Sequence, residues 1–109
     1  MSAVLATLAN GEAQKFTTNG VANTNTTTAL GAGAGNYAYF EVFNAGASFI
    51  QVQFGKSGVV ATNAASAPVG PGQSAIVKRL AGDTHLAHLS LVGVSQDFYL
   101  TPVSSQQVV

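Results

Sequence analysis

The clearest alternation of apolar and polar positions lies in the middle of the chain. Tyr37, Tyr39, Glu41 and Phe43 fall on one face of an extended segment, and Ala38, Phe40 and Val42 fall on the other. Ile50, Val52 and Phe54 then alternate with Gln51 and Gln53, a strand with one dry and one polar face. Between the two segments stands Asn44-Ala45-Gly46, whose Asn and Gly accept the dihedrals of a tight turn. This spacing predicts a β-hairpin pairing residues 37–43 with residues 48–55.

Further strands are predicted over residues 14–18, 73–80, 84–94 and 98–101, with a short one over 58–62. Val69-Gly70-Pro71-Gly72 and Ala81-Gly82-Asp83 read as turns, Gly93 as a bulge, and Pro102 as the end of the last strand. Even spacing without an amphipathic helix points to a sandwich or a small barrel. We expect an all-β fold, a single antiparallel β-sandwich of about seven or eight strands with a jelly-roll-like arrangement. The expected core is Phe40, Val42, Ile50, Val52, Phe54, Ile76, Leu89, Leu91, Phe98 and Leu100.

The rest of the chain divides around that pattern. Residues 1–13 are an Ala-rich apolar arm ending near the turn signal Asn10-Gly11, extended or helical by composition. Residues 19–35 are low-complexity, rich in Asn, Thr, Gly and Ala, and read as loop with an edge strand near residues 26–30. One domain is expected over residues 1–109, its sandwich core over 36–102 and a tail over 103–109.

Charge is the anomaly. Lys, Arg, Asp and Glu make up 7% of the 109 residues and balance to zero, against about 25% in typical soluble domains. No basic stripe is available, so a nucleic-acid partner is not expected. No apolar run approaches the roughly 18 residues of a membrane helix, and no membrane partner is expected. The first residues lack the basic region of a secretory signal, so synthesis in the cytoplasm without export is expected. There is no Cys. So few charges protect a free monomer poorly against association. A homodimer or homotrimer within a larger assembly is therefore expected.

Candidate chemistry is sparse. His85 and His88 would point to opposite faces of a strand, which argues against a metal pair. Gly31-Ala32-Gly33-Ala34-Gly35 precedes a strand and lacks the helix that a dinucleotide-binding loop needs. Asn25-Thr26-Thr27 fits a glycosylation sequon but carries little without an export signal. The acids Glu12, Glu41, Asp83 and Asp97 are scattered, and no nucleophile elbow occurs. No catalytic, cofactor or metal site is expected. Glu41 is the charge to watch, since a carboxylate among Tyr37, Tyr39 and Phe43 needs a partner or water. Lys78 or Arg79 on a neighbouring strand could supply it, or a group across a subunit boundary. The aromatics themselves are expected in the core.

The order of segments carries a resemblance. It runs Val42-Phe-Asn-Ala-Gly, Ile50-Gln-Val-Gln-Phe-Gly, Ala67-Pro-Val-Gly-Pro-Gly-Gln, Asp83-Thr-His-Leu-Ala, then Phe98-Tyr-Leu-Thr-Pro. This order over residues 42–102 resembles the small all-β virion proteins of tailed bacteriophages, in particular capsid decoration (cement) proteins and head accessories. Pro102-Val103 departs from the Pro-Gly that such sequences often carry. The resemblance implies a structural role on the capsid exterior, binding the major capsid protein across capsomer seams without chemistry. A neck or tail accessory, or a receptor- or carbohydrate-binding virion module, are the alternatives. Contacts are expected from the arm, from residues 19–35 and from the tail, with Glu41, Gln106, Val108 and Val109 as candidate interface residues.

Overall fold

The computed structural model describes residues 13–31, 37–62 and 66–103. Among them are eight strands: β1 (Gln14–Thr17), β2 (Thr26–Ala29), β3 (Tyr39–Asn44), β4 (Ile50–Gly55), β5 (Ala67–Val69), β6 (Ser74–Lys78), β7 (His85–Ser90) and β8 (Asp97–Val103). They form two four-stranded antiparallel sheets packed as a β-sandwich. The first sheet runs β1-β8-β3-β6 and the second β2-β7-β4-β5.

The pairings are nested. β4 pairs with β5, β3 with β6, β2 with β7 and β1 with β8. The chain thus behaves as one long antiparallel ribbon folded back between β4 and β5. Rolling the ribbon adds the pairs β3 with β8 and β4 with β7, which complete the two sheets.

This arrangement corrects the predicted hairpin. β3 and β4 lie in different sheets, so Asn44-Ala45-Gly46 turns the chain from one sheet to the other rather than pairing its flanks. The reason is competition for backbone partners. Both edges of β3 are taken by β6 and β8, and both edges of β4 by β5 and β7.

The main core lies between the sheets: Phe16, Phe40, Val42, Ile50, Val52, Phe54, Val69, Leu86, Phe98 and Leu100. Each such side chain contributes roughly 1.5–3 kcal/mol by leaving water. Phe16 and Phe98 stack at 5.1 Å, and the His88 ring stands edge-on to both, at 5.5 and 5.1 Å. A smaller cluster, Ala61, Ala87 and Leu89 with Val59 and Leu91 against it, lies apart from the main core. It forms where residues 56–62 pack on β7. That segment is tied to the start of β2 by Thr27 Oγ1 donating to Val59 O (2.7 Å) and Ala61 N donating to Asn25 Oδ1 (2.8 Å).

Two expected core residues belong elsewhere. Ile76 is 50% exposed, because β6 reads Ala-Ile-Val and only its register with β3 selects the inward pair. Ala75 lies opposite buried Val42 and Val77 opposite buried Phe40, which leaves Ile76 opposite Glu41 on the outer face. Leu91 is half-buried just past β7. Tyr39 and Phe43, expected in the core, lie on that same outer face, with Phe43 exposed. Residues 58–62 are not a strand, β7 stops at Ser90, and Ala67–Val69 is a strand where a loop and turn were expected. β8 runs through Pro102, which is tolerated beyond Leu100 because β1 pairs no further along it.

Candidate binding surface

Four connections gather at one end of the sandwich: residues 18–25, 45–49, 70–73 and 91–96. Backbone bonds tie them together, with Thr18 N donating to Gln96 O (2.9 Å), Asn23 N to Ser90 O (2.8 Å), Gly72 N to Asn44 O (2.8 Å) and Leu91 N to Phe49 O (3.3 Å). None of the four contains Asp, Glu, Lys or Arg.

Buried neutral side chains hold these loops. Asn44 is fully buried; its Nδ2 donates to Ser48 O (2.8 Å) and Val69 O (3.0 Å), and its Oδ1 accepts from Gly46 N (2.8 Å). Gln96 Oε1 accepts from Ala47 N (2.8 Å) and Ser48 N (3.2 Å), while its Nε2 donates to Val94 O (2.9 Å). Ser90 Oγ bonds both Val92 N and Val92 O. Gly46 has to be Gly, because a Cβ there would collide with the Gln96 side chain. The backbone groups of a tight turn are thus satisfied by side chains, which fixes the loops without a ladder.

On these fixed loops large apolar side chains stand in water: Val21 (62% exposed), Phe49 (48%), Val92 (38%) and Val94 (63%). An uncharged apolar surface on loops ordered in advance is suited to bind another uncharged surface, since little entropy is left to lose on contact.

The opposite end differs. Two of its three connections carry Lys56, Arg79 and Asp83, and a cleft of about 360 Å³ there is lined by Leu30, Gly31, Arg79, Ala81, Gly82, Asp83 and Thr84. Arg79 is buried and donates to Tyr37 O (3.0 Å), Leu80 O (3.3 Å) and Asp83 O (2.8 Å). Its guanidinium staples loops together.

Glu41 sits mid-face on the outer side of the first sheet, between Ile76 on β6 and Thr101 on β8. Neither expected internal partner pairs with it: Lys78 lies opposite Tyr39, and Arg79 turns to the carbonyls above. Among the described residues the ion pair found is Lys15 with Asp97, at 3.6 Å. Gln106, Val108 and Val109 lie outside the described residues, as do residues 1–12 and 32–36.

His85 and His88 point to opposite faces of β7. No group of three or more His, Asp or Glu side chains able to hold a metal ion occurs among the described residues. His88 is buried; Thr28 Oγ1 lies 3.5 Å from its Nε2 and Nδ1 has no partner. Desolvation lowers its pKa from 6.5 to about 4, so the imidazole is neutral near pH 7. Asn25 spends its amide on Thr27 Oγ1 and Ala61 N, an anchor within the fold.

The loop end was invisible to motif reading, because it is assembled from four separated segments. Lack of charge was no guide to it, since residues 30–38, between β2 and β3, lack charge as well. No protein-family model matches the chain, and no curated protein matches it in sequence.

Proposed function

We propose that this chain is a structural virion protein that decorates and stabilises a phage capsid, docking its uncharged loop end on the major capsid protein across capsomer seams. The observation that carries the reading is the loop end itself: Val21, Phe49, Val92 and Val94 exposed on charge-free loops held by Asn44, Gln96 and Ser90. The segment order from Val42 to Pro102 agrees with it. The nested pairing of eight strands supports reading the sandwich as jelly-roll-like, an arrangement that recurs in viral capsid and lectin domains. That last support is an analogy of fold and bears on function only weakly.

In this role the protein needs no reaction. It adds binding energy that the assembled shell alone collects, through apolar and hydrogen-bonded contacts that depend little on salt. Replacing Phe49 and Val94 by Asp places charge on the docking end without touching the core. Occupancy on shells should fall with the sandwich still folded, and heads stripped of the protein should release DNA at a lower temperature than decorated ones. Equal release temperatures, or recovery of the protein only from necks or tails, would replace this reading by the accessory alternative.

A further inference from the structure

Four outward residues on β3 and β6 form a quadrilateral fixed by register: Tyr39 lies opposite Lys78, and Glu41 opposite Ile76. One diagonal joins Glu41 to Lys78 and the other joins Tyr39 to Ile76. On one sheet such diagonal neighbours stand about 7–8 Å apart, and Glu41 and Lys78 make no ion pair within the chain. Ile76, half-exposed beside them, is an aliphatic side chain with no packing role in the core.

We infer that this face binds a second copy of the same chain, on a two-fold axis running along the Tyr39–Ile76 diagonal. That axis exchanges the ends of the other diagonal. Glu41 of each copy comes over Lys78 of the other, while Tyr39 and Ile76 meet their own counterparts. The face is thus complementary to itself in charge and in apolar character. Glu41 gains the cation that the single chain withholds, and Ile76 leaves water. The opposite sheet offers no equivalent, because residues 56–62 already pack on β7 there.

The size of the face sets the strength. The axis crosses the β3–β6 edge of the sheet, so β8 and β1 lie to one side of it and only the corner around these four residues meets its copy, well under the ~800 Å² typical of stable partners. Association is therefore weak and reversible, and it stands independently of the virion reading.

The test is sedimentation equilibrium on the full chain up to about 1 mM, a range that reads weak dissociation constants. The wild type should dimerise, and either Glu41→Lys or Lys78→Glu should weaken this by about tenfold or more, since each sets like charges face to face. The double variant should restore it. Mixing the two single variants should give a heterodimer tighter than either homodimer, because every contact is then opposite in charge. Unchanged circular dichroism guards against loss of fold. A wild type that stays monomeric, single variants that associate like wild type, or a mixture that does not pair would each overturn the inference. So would an oligosaccharide that binds through Tyr39 while the chain remains monomeric, since the face would then belong to a glycan.

Discussion

The two ends of the sandwich solve the same problem with different chemistry. Each must hold irregular backbone whose polar groups have no strand partner. At the end formed by residues 18–25, 45–49, 70–73 and 91–96, neutral amides and hydroxyls do this: Asn44, Gln96, Ser90 and Thr18, whose Oγ1 accepts from Gln96 N at 2.7 Å. At the other end one guanidinium, that of Arg79, gathers three carbonyls. Neutral staples leave a surface free of charge, on which Phe49 and Val94 stay exposed. A charged staple is stronger bond for bond, and the carbonyls around buried Arg79 offset the cost of taking its charge out of water. The difference shows how a protein can keep four loops free of charged side chains without leaving them loose.

The largest expected effect belongs to neither end and so calibrates both. His88 lies mid-strand with its folded pKa near 4, below its ordinary 6.5. Between these values the unfolded chain binds more protons than the native one. Stability therefore falls as pH drops through 6.5 towards 4, and the loss levels off below that, at about 3 kcal/mol. Urea unfolding of wild type and His88→Leu from pH 7 to pH 4 should show the steeper fall in the wild type. Because His88 touches both sheets' core, both ends should open together.

Asn44→Ala should cost about 2–3 kcal/mol, because it orphans two carbonyls and one N–H in a buried turn. Hydrogen exchange should then speed up in residues 45–49 before it does in residues 79–84. Equal acceleration at both ends would erase the distinction drawn between them. Arg79→Met keeps the apolar stem and removes the staple. We expect a loss of about 2 kcal/mol in urea unfolding, with exchange faster at residues 37–38 and 80–84 and unchanged at residues 45–49.

The smallest effect on stability should come from Phe49→Ser with Val94→Ser. These exposed positions should shift unfolding by within about 0.5 kcal/mol. A larger loss would mean that the loop end is a minor core and that its exposed side chains serve the fold.

Much of the framework could be read from residue order. The inward phase of β3 (Phe40, Val42), β4 (Ile50, Val52, Phe54) and β8 (Phe98, Leu100) follows from strict alternation, which a pleated strand imposes on its neighbours. The turn at Gly70-Pro71-Gly72 was legible too, and Gly72 takes the positive φ of 71° that glycine accepts without strain. β6 was legible as a strand but its inward face was not, since Ala75, Ile76 and Val77 are all apolar and alternation assigns no face. Phe16 was also missed as core. Its short strand carries one large apolar residue, and only pairing with β8 turns that residue inward, against Phe98.

The sequence by itself determined that the described residues form an all-β fold, where most of them turn, and that charge is nearly absent. Those properties are local, written in alternation, in Gly, Pro and Asn, and in composition. Which strand lies beside which was decided only in three dimensions. Backbone edges are alike in every strand, so pairing follows from which set of apolar faces can be buried together. That decision sent β3 and β4 to different sheets, gathered four uncharged loops at one end, and left Glu41, Lys78 and Ile76 together on the outer face of the first sheet.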